Sequence, residues 1–275
     1  MKFSIVVVCL NPGEKLNQTL DSILEQTYAD YEIVVKDGGS RDGSIEKMRC
    51  DTRIHLFTEK DTGIYDAMNQ AVSHATGNFI LFLNCGDVFY SRTVLAEAAG
   101  YVCREVESSR EARTDVVQNL VLYGDTYSEK SDVLISSAPQ ITGFTCYRNI
   151  PCHQSCFYAA RLCREKPYNP EYRIRADYDH FLWCFYEAKA KMVHMKITVS
   201  SYEGGGFSES RDNKKRDKEE HRRITGNYMS GASLLGYRFL MLCTLAPFRS
   251  FLADNKHLSG AYHWIKEQIY GKRSR

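Results

Sequence analysis

Carboxylate and amide side chains follow a strongly apolar segment near the middle of the first half of the sequence. Phe79–Leu83 has the length of a strand and carries no charge, and Asn84, Gly86 and Asp87 come directly after it. Oxygen ligands of this kind are what Mg²⁺ and similar cations prefer, so Asp87 is the first candidate for a metal ligand. Asn, Gly and Asp are also common in ordinary turns, so a purely structural polar turn remains an alternative.

Two other strand-like segments also end in acidic residues. Glu32–Lys36 is followed by Asp37, and Ile54–Thr58 is followed by Glu59 and Asp61. In a parallel sheet the carboxyl ends of strands share one edge, which is where open α/β sheets bind ligands. Each carboxylate could instead cap a helix. Their recurrence at the same end of successive units favours a shared binding site.

A second acidic pair, Asp177 and Asp179, begins an aromatic-rich segment that has the character of a helix. Acidic side chains in a first turn interact favourably with the helix dipole, which is the structural interpretation. A carboxylate within hydrogen-bond reach of a hydroxyl can instead act as a general base. His153 is the third candidate for a catalytic group, although a lone histidine is more often a hydrogen-bonded structural residue.

The elements that must position these groups alternate between strands and helices. Ser4–Leu10 is a β-branched apolar run, and the next apolar residues, Leu16, Leu20 and Ile23, recur at helical spacing. The same alternation continues to residue 90. The sequence therefore predicts an α/β fold with a mostly parallel sheet and right-handed crossovers.

The pattern is less regular after residue 90. Val116–Leu122 is predicted to form a strand that is broken after Tyr123 by Gly124 and Asp125, and Lys191–Ser201 is predicted to form an edge strand. Glu203–Ser208 is glycine-rich and is predicted to form a flexible loop.

Composition indicates a globular protein with one large domain. The 275 residues are 43% hydrophobic and 25% charged, which is typical of folded water-soluble chains. Residues 207–275 are basic, with 14 Lys and Arg against 7 Asp and Glu. Despite ten cysteines, the chain shows no secretory signal, so we expect reduced thiols and a cytoplasmic protein.

The order of these motifs resembles the nucleotide-sugar-binding half of family 2 glycosyltransferases of GT-A fold. The resemblance is carried by SIVVVCLN, EIVVKDGGSRDGS, EKDTGIYDAMNQA and GNFILFLNCGDVF. It implies that Asp37 binds the base of the nucleotide and that Asn11 lines the same pocket. It also places the metal-binding triplet of the family on Asn84–Asp87, where Asn84 and Gly86 replace residues that are often acidic. Asp87 is then the ligand for Mn²⁺ or Mg²⁺, and further donor contacts are assigned to Gly39, Glu59, Asp61, Asp66, Asn69, Asn84 and Gly86.

The resemblance extends into the acceptor half of the chain. The segment around His153 is similar to the His-Gln strand of the family, and Ala176–Asp179 matches the motif that supplies the general base. Asp177 takes the base position, with Asp179 as the alternative. The implied organisation is a single Rossmann-like GT-A domain over 1–206, with the nucleotide-sugar half at about 1–90 and the acceptor half at about 120–206. A C-terminal helical extension follows over 207–275.

The expected activity is inverting transfer of a sugar from a nucleoside diphosphate sugar, with UDP favoured, to a hydroxyl of a glycan, as in bacterial surface polysaccharide assembly. The acceptor is expected to be a saccharide, with a lipid-linked saccharide as one option, and no nucleic-acid partner is expected. Leu234–Leu252 is apolar but is interrupted by charges and proline, so 230–275 is predicted either to lie on the inner membrane surface or to pack on protein. A nucleotidyltransferase and a non-catalytic nucleotide- or sugar-binding protein remain the alternatives.

Overall fold

The computed structural model describes residues 1–109, 111–203 and 213–243. The chain divides into a compact first unit, Met1–Ile224, and a second unit that begins at Thr225. The predicted glycine-rich loop falls largely within 204–212, and the end of the apolar segment Leu234–Leu252 falls within 244–275. Both stretches lie outside the described residues.

Strands and helices alternate through the first unit, as the sequence predicted. The strands are β1 (Phe3–Cys9), β2 (Tyr31–Asp37), β3 (Ile54–Thr58), β4 (Phe79–Phe82), β5 (Val88–Phe89), β6 (Leu120–Ser128), β7 (Val133–Ile135), β8 (Cys156–Ala159) and β9 (Lys191–Tyr202). The helices are α1 (Lys15–Leu24), α2 (Ile64–His74), α3 (Val94–Ser108), α4 (Arg113–Gln118), α5 (Gly143–Arg148), α6 (Ala160–Glu165), α7 (Ala176–Tyr186), α8 (Asn213–Tyr228) and α9 (Gly231–Cys243).

All the described strands belong to one sheet of order β3-β2-β1-β4-β8-β6-β9-β5, with β7 paired to β6. The first four are parallel, because β1 pairs in parallel with both β2 and β4, and β2 with β3. Every residue of Phe79–Leu83 is fully buried. The predicted α/β fold, with helices packed on a mostly parallel sheet, is therefore confirmed in this part of the chain.

The acceptor half adds antiparallel pairs to this sheet. β8 pairs antiparallel with both β4 and β6, which joins the two halves into one continuous surface. As a result, the start of β8 lies beside the end of β4. His153 belongs to a short 3₁₀ turn, His153–Ser155, directly before β8.

In this part of the chain one strand prediction is wrong in its bounds, and the predicted edge strand is covered only at its end. Arg113–Gln118 is helical, and β6 begins at Leu120 and continues through Gly124 to Ser128. A glycine is required there because a Cβ at position 124 would lie 2.6 Å from the carbonyl oxygen of Ile197. β9 is an edge strand over most of its length, because β6 pairs along one side and β5 pairs on the other side only with Ser200 and Ser201.

The second unit contains the end of α8 and the helix α9. Leu235, Phe239 and Leu242 of α9 are each about two-thirds exposed, at 66%, 67% and 65%. None of the described helices is both long enough and apolar enough to cross a membrane.

Candidate active site

A tight turn after β4 presents Asn84, Gly86 and Asp87 at the edge of the sheet. The Asp87 amide donates to the Asn84 carbonyl over 2.9 Å. Gly86 has φ of +101°, a conformation that residues with a Cβ rarely adopt. Thr19 of α1 holds the turn, because its hydroxyl accepts from the Gly86 amide at 2.9 Å and donates to the Asp87 carbonyl at 2.8 Å.

Asp87 carries a carboxylate that is costly to ionise. Burial raises the pKa of Asp87 to about 6, which the nearby His153 opposes and Glu129 reinforces. Among the described residues, no side chain or amide donates a hydrogen bond to this carboxylate. A positive charge bound at the turn would therefore favour the ionised form.

Asp177 lies in the first turn of α7 and has several partners. Its Oδ1 accepts from the Tyr178 amide at 2.9 Å and from the Tyr65 hydroxyl at 3.1 Å, and its Oδ2 lies 3.5 Å from Nδ1 of His153. Burial alone would raise the pKa of Asp177, but His153 and these hydrogen bonds outweigh it and lower that pKa below its ordinary value. Asp177 is therefore ionised at neutral pH, as a base must be.

His153 connects the two carboxylates. Its Nε2 lies 3.1 Å from the side-chain amide nitrogen of Asn84, while its Nδ1 faces Asp177. Burial alone would lower the pKa of His153, but Asp177 and, to a smaller extent, Asp87 outweigh it and raise that pKa. The turn after β4, the turn before β8 and the start of α7 thus converge on one cleft.

Asp179 occupies a different environment from Asp177. Its side chain is buried, and Nζ of Lys166 lies 3.8 Å from its Oδ2. Asp177 and Asp179 are two residues apart in α7, about 200° around the helix, so their side chains leave opposite sides of it. Of the two candidates for the base, Asp177 is the one that faces His153.

The loops after β1 and β2 contact each other at the same sheet edge. The Asp37 carboxylate is buried and accepts hydrogen bonds from the amides of Gly39 and Ser40 at 3.0 to 3.1 Å and from the Ser40 hydroxyl at 2.5 Å. Asn11 Oδ1 accepts from the Arg41 amide at 2.8 Å. Asp37 and Asn11 therefore shape one exposed loop surface that includes Gly39.

The acidic residues after β3 are tied to a buried lysine. Lys36 is fully buried, and its ammonium donates to Asp61 Oδ2 at 3.0 Å and to the Glu59 carbonyl at 2.6 Å. The second oxygen of Asp61 accepts from the Gly63 amide at 3.2 Å. The Glu59 side chain is exposed and faces His74. Asp61 thus lies at the site edge with its carboxylate oriented by Lys36.

Asp66 and Asn69 use their side chains within the protein. Asp66 accepts from the amide and the hydroxyl of Thr62 at 2.8 and 2.9 Å, next to the start of α2. Both ends of the Asn69 amide bind the backbone of Tyr168, at 2.8 and 2.9 Å. Both ends of the Asn69 amide are thus used in structural contacts, whereas Oδ1 of Asp66 has no hydrogen-bond donor among the described residues.

Sequence reasoning missed several residues of the site. Tyr65 binds Asp177, Thr19 holds the turn after β4, and Lys36 orients Asp61. Lys15 forms an ion pair with Glu203 and packs its side chain against Gly86. No local pattern distinguishes these residues, because each acts across at least 25 positions of sequence.

A divalent cation at the turn after β4 would need additional ligands from the bound substrate and from water. Asp87 supplies one carboxylate without a hydrogen-bond donor, and the buried Oδ1 of Asn84 has no hydrogen-bond partner. Within the described ranges no three His, Cys, Asp or Glu side chains cluster as ligands. Cations such as Mg²⁺ commonly take one or two protein ligands and complete their shell with phosphate oxygens and water. The residues present fit that arrangement.

Comparison with known proteins agrees with this architecture. The profile of the family described as Glycosyl transferase family 2 matches residues 4–117. The PGL/p-HBAD biosynthesis glycosyltransferase of Mycobacterium bovis is 34% identical over 213 residues, which cover 75% of this chain and 78% of that protein.

Two further proteins extend the comparison. The UDP-Glc:alpha-D-GlcNAc-diphosphoundecaprenol beta-1,3-glucosyltransferase WfgD of Escherichia coli is 36% identical over 89 residues, which are 31% of this chain and 35% of that protein. The mannosyltransferase PcManGT from Pyrobaculum calidifontis, solved with GDP-Man and Mn²⁺, shares the fold with a TM-score of 0.61 at 15% identity, over 98% of this chain and 87% of that one. The chain belongs to glycosyltransferase family 2 and is a glycosyltransferase of GT-A fold.

Proposed function

We propose that the protein transfers a sugar from a UDP-sugar to a hydroxyl group of a saccharide acceptor, with inversion at the anomeric carbon. The observation that carries this proposal is the chain of contacts from Asp177 through His153 to Asn84. It supports a cleft with an ionised carboxylate on one side and the turn after β4, which carries Asn84 and Asp87, on the other. A single displacement needs a base and a stabilised leaving group at opposite sides of the reacting carbon.

Asp177 acts as the general base in this proposal. Its carboxylate accepts the proton of the acceptor hydroxyl as that oxygen attacks the anomeric carbon, and the bond from that carbon to the diphosphate breaks. Tyr65 and the Tyr178 amide hold Oδ1, which leaves Oδ2 beside His153 to receive the proton. His153 orients Asp177 and keeps it ionised. Asp179, buried beside Lys166, is the less suitable base.

The loops after β1, β2 and β3 are proposed to hold the nucleotide sugar. Asn11, Asp37 and the exposed Gly39 form the surface for the base and ribose, with Asp61 at its border. Glu59 is exposed at the rim. Asn69 has a structural role, because both ends of its amide bind the backbone of Tyr168. Asp66 offers its Oδ1 to the sugar or the ribose.

The leaving diphosphate belongs beside Asn84, Gly86 and Asp87. Asp87 and the side-chain oxygen of Asn84 would hold a divalent cation, Mn²⁺ or Mg²⁺. When bound, the cation supplies charge neutralisation for the departing diphosphate. Lys15, which packs against Gly86, adds a positive charge from the protein on the same side.

The acceptor is proposed to approach past Cys152, next to His153. A cavity of about 320 Å³ opens there between the β7 end, α5 and the segment before His153. Apolar residues line much of it, together with hydroxyl groups of Ser136 and Ser137 and the guanidinium of Arg148. In the described part of the chain no carboxylate pairs with Arg148. This mixture suits a saccharide attached to an apolar, anionic carrier such as a lipid diphosphate.

Domain organisation and membrane contact are part of the same proposal. We assign the glycosyltransferase domain to 1–206 and a basic, partly apolar C-terminal extension to 207–275. Leu235, Phe239 and Leu242 recur on one face of α9, as in helices that lie on a membrane surface. Flotation with anionic phospholipid vesicles tests this: the wild-type protein should float, and a Phe239→Glu variant should not. Equal flotation of both would contradict the membrane role of α9.

A thermal-shift screen tests the donor and the cation first. The protein is melted with UDP, GDP, CDP or dTDP, each with and without Mn²⁺, because a ligand of the folded state must raise the melting temperature. We expect the largest rise with UDP and a further rise with Mn²⁺. A response to none of the four would contradict the nucleotide-sugar assignment and favour a non-catalytic protein.

Transfer to an undecaprenyl-diphosphate-linked N-acetylglucosamine then tests the chemistry. Asp177→Asn should lower kcat by roughly 100-fold or more, the scale of lost general-base catalysis, and should leave UDP affinity unchanged. Glu171→Gln, which removes an exposed carboxylate that is paired with Arg223, is the matched control and should be silent. Unchanged turnover in Asp177→Asn would move the base elsewhere, and a product with the donor's anomeric configuration would exclude inversion.

A further inference from the structure

The loop that precedes α7 supplies no side-chain cap for the start of that helix. α7 begins at Ala176, and the residue before it, Arg175, makes no side-chain capping hydrogen bond. The backbone amides of the loop directly before the helix have no helical partner, so they need acceptors from elsewhere when they are buried. In this loop the amides of Arg173, Ile174 and Arg175 point to a common position, where an acceptor from elsewhere is required.

Glu220 of α8 supplies that acceptor. Its Oε1 accepts from the Arg173 amide at 3.0 Å, and its Oε2 accepts from the amides of Ile174 and Arg175 at 3.0 and 2.9 Å. The side chain of Glu220 is 8% exposed, so these hydrogen bonds are shielded from water. Three consecutive backbone amides around one carboxylate form an anion-binding nest.

Asp217 reinforces the same attachment one helical turn earlier. Its two carboxylate oxygens accept from Nε and Nη2 of Arg175 at 2.7 and 2.9 Å. Side chains three positions apart lie on the same face of a helix. Two residues on one face of α8 therefore bind the backbone of the loop before α7 and the side chain of Arg175.

Tyr65 carries this attachment to the base. Its hydroxyl contacts the Ile174 carbonyl at 2.6 Å and Asp177 Oδ1 at 3.1 Å. Glu220 thus holds the amide of Ile174, and Tyr65 holds its carbonyl together with the Asp177 carboxylate. A shift of the loop would displace Tyr65 and Asp177 in the same step.

We propose that Glu220 and Asp217 are positioning residues for catalysis, which fix Asp177 in the orientation that accepts the acceptor proton. This inference rests on the proposed role of Asp177. It makes the first turns of α8, in the basic stretch after residue 206, part of the catalytic apparatus. The alternative is that both carboxylates stabilise the fold without affecting the base.

A double-mutant cycle separates these alternatives. Glu220→Gln keeps the shape but replaces one acceptor oxygen with an amide group that cannot accept from the loop amides. A displacement of the base by a fraction of an ångström is expected to lower kcat by roughly 10- to 100-fold. UDP affinity and the KM for the donor should stay within about twofold, because the nucleotide loops lie outside this contact.

The deciding measurement is the same substitution in the Asp177→Asn background. If Glu220 acts through Asp177, then Glu220→Gln should cost less than about threefold there, since the group that it positions is already lost. Glu219→Gln is the matched control, because Glu219 is the neighbouring residue, is exposed and pairs only weakly with Lys215 over 3.9 Å. It should be silent in both backgrounds.

The outcomes distinguish this inference from the proposed function. An equal loss in both backgrounds would overturn the positioning role and leave the base assignment intact. Full activity of Asp177→Asn would instead overturn the base assignment. Should Glu220→Gln fail to fold, Asp217→Asn removes only the Arg175 pair. Asp217→Asn should then lower kcat by about fivefold in the wild type and by clearly less in the Asp177→Asn background. An equal loss in both backgrounds would overturn the inference.

Discussion

Replacement of Asp87 by asparagine should stabilise the metal-free protein at neutral pH. Burial raises the pKa of Asp87 from 3.8 to about 6. A difference of about two units, at about 1.4 kcal/mol each, corresponds to about 3 kcal/mol against the ionised folded state. Because the side chain is not sealed from water, we expect Asp87→Asn to raise the free energy of unfolding by about 1–3 kcal/mol at pH 7.5.

The direction in which the free energy of unfolding changes with pH follows from proton binding. The folded-state pKa lies above the unfolded value, so the folded protein holds the Asp87 proton more tightly between about pH 4 and pH 6. The free energy of unfolding of the wild type therefore falls as pH rises through that window. At pH 4.5 the advantage of Asp87→Asn should shrink to about a third of its value at pH 7.5.

Glu32 provides a control of opposite sign. Burial alone would raise the pKa of Glu32, but hydrogen bonds from Lys2, Ser4 and Thr76 outweigh it and lower that pKa to about 2. The stabilisation from Glu32 is present above its unfolded value of about 4.5 and is lost as pH falls toward 2. Glu32→Gln should therefore destabilise by about 3 kcal/mol at pH 7.5 and by nearly as much at pH 4.5.

Urea denaturation in EDTA at pH 7.5 and pH 4.5 measures both variants against the wild type. The reasoning is refuted if Asp87→Asn lowers the free energy of unfolding at pH 7.5, or if its effect is the same at both pH values. Asp87→Asn should also lose the additional rise in melting temperature that Mn²⁺ gives with UDP. A full Mn²⁺ response would show that the cation binds elsewhere.

Two further substitutions test the base and the sheet. Tyr65→Phe removes a hydrogen bond that helps to lower the pKa of Asp177, so the acid limb of kcat/KM should move to higher pH; an unmoved limb in a folded variant would contradict this role. Gly124→Ala would place a Cβ 2.6 Å from the carbonyl of Ile197 and should cost at least about 1–3 kcal/mol in thermal or urea unfolding. Gly100→Ala, in α3 with its nearest atom at 3.6 Å, is the matched control, and equal stability of the two variants would contradict the packing argument.

The nucleotide-binding half was predictable because its signals are local. Each of its strands is rich in apolar residues, and each is followed by polar residues within a few positions. Phe79–Leu83 illustrates this, since five consecutive apolar residues with no charge fit a strand that is buried on both faces. The edge position of Asp87 followed from parallel topology alone.

The acceptor half was less predictable because long-range pairing overrides local patterns there. Gly124 and Asp125 have the composition of a turn, yet both lie within β6, because neighbouring strands pair on either side and the glycine admits the close backbone of Ile197. Lys191–Ser201 alternates like an edge strand, yet the two-residue strand Val88–Phe89 covers its end. A strand that short leaves no detectable pattern.

The candidate site shows the same division. Asp177 was accessible to sequence reasoning because acidic residues in the first turn of a helix form a local pattern. Glu220 was not, since it lies in a charged run that fits a solvated helix face equally well. Its partners are three backbone amides, which carry no side-chain signature and lie more than 40 residues earlier.

The two carboxylates of the cleft differ in ways that match their proposed tasks. Asp177 has a lowered pKa because hydrogen-bond donors surround it, so it stays ionised before the acceptor arrives. Asp87 has a raised pKa and no donor among the described residues, so its ionised form gains most when a cation binds. His153 contacts Asp177 directly and also favours ionisation of Asp87. His153→Gln should therefore raise the pKa of both carboxylates, which would weaken Mn²⁺ binding and move the acid limb of kcat/KM to higher pH together. A change in only one of the two would show that His153 serves a single carboxylate.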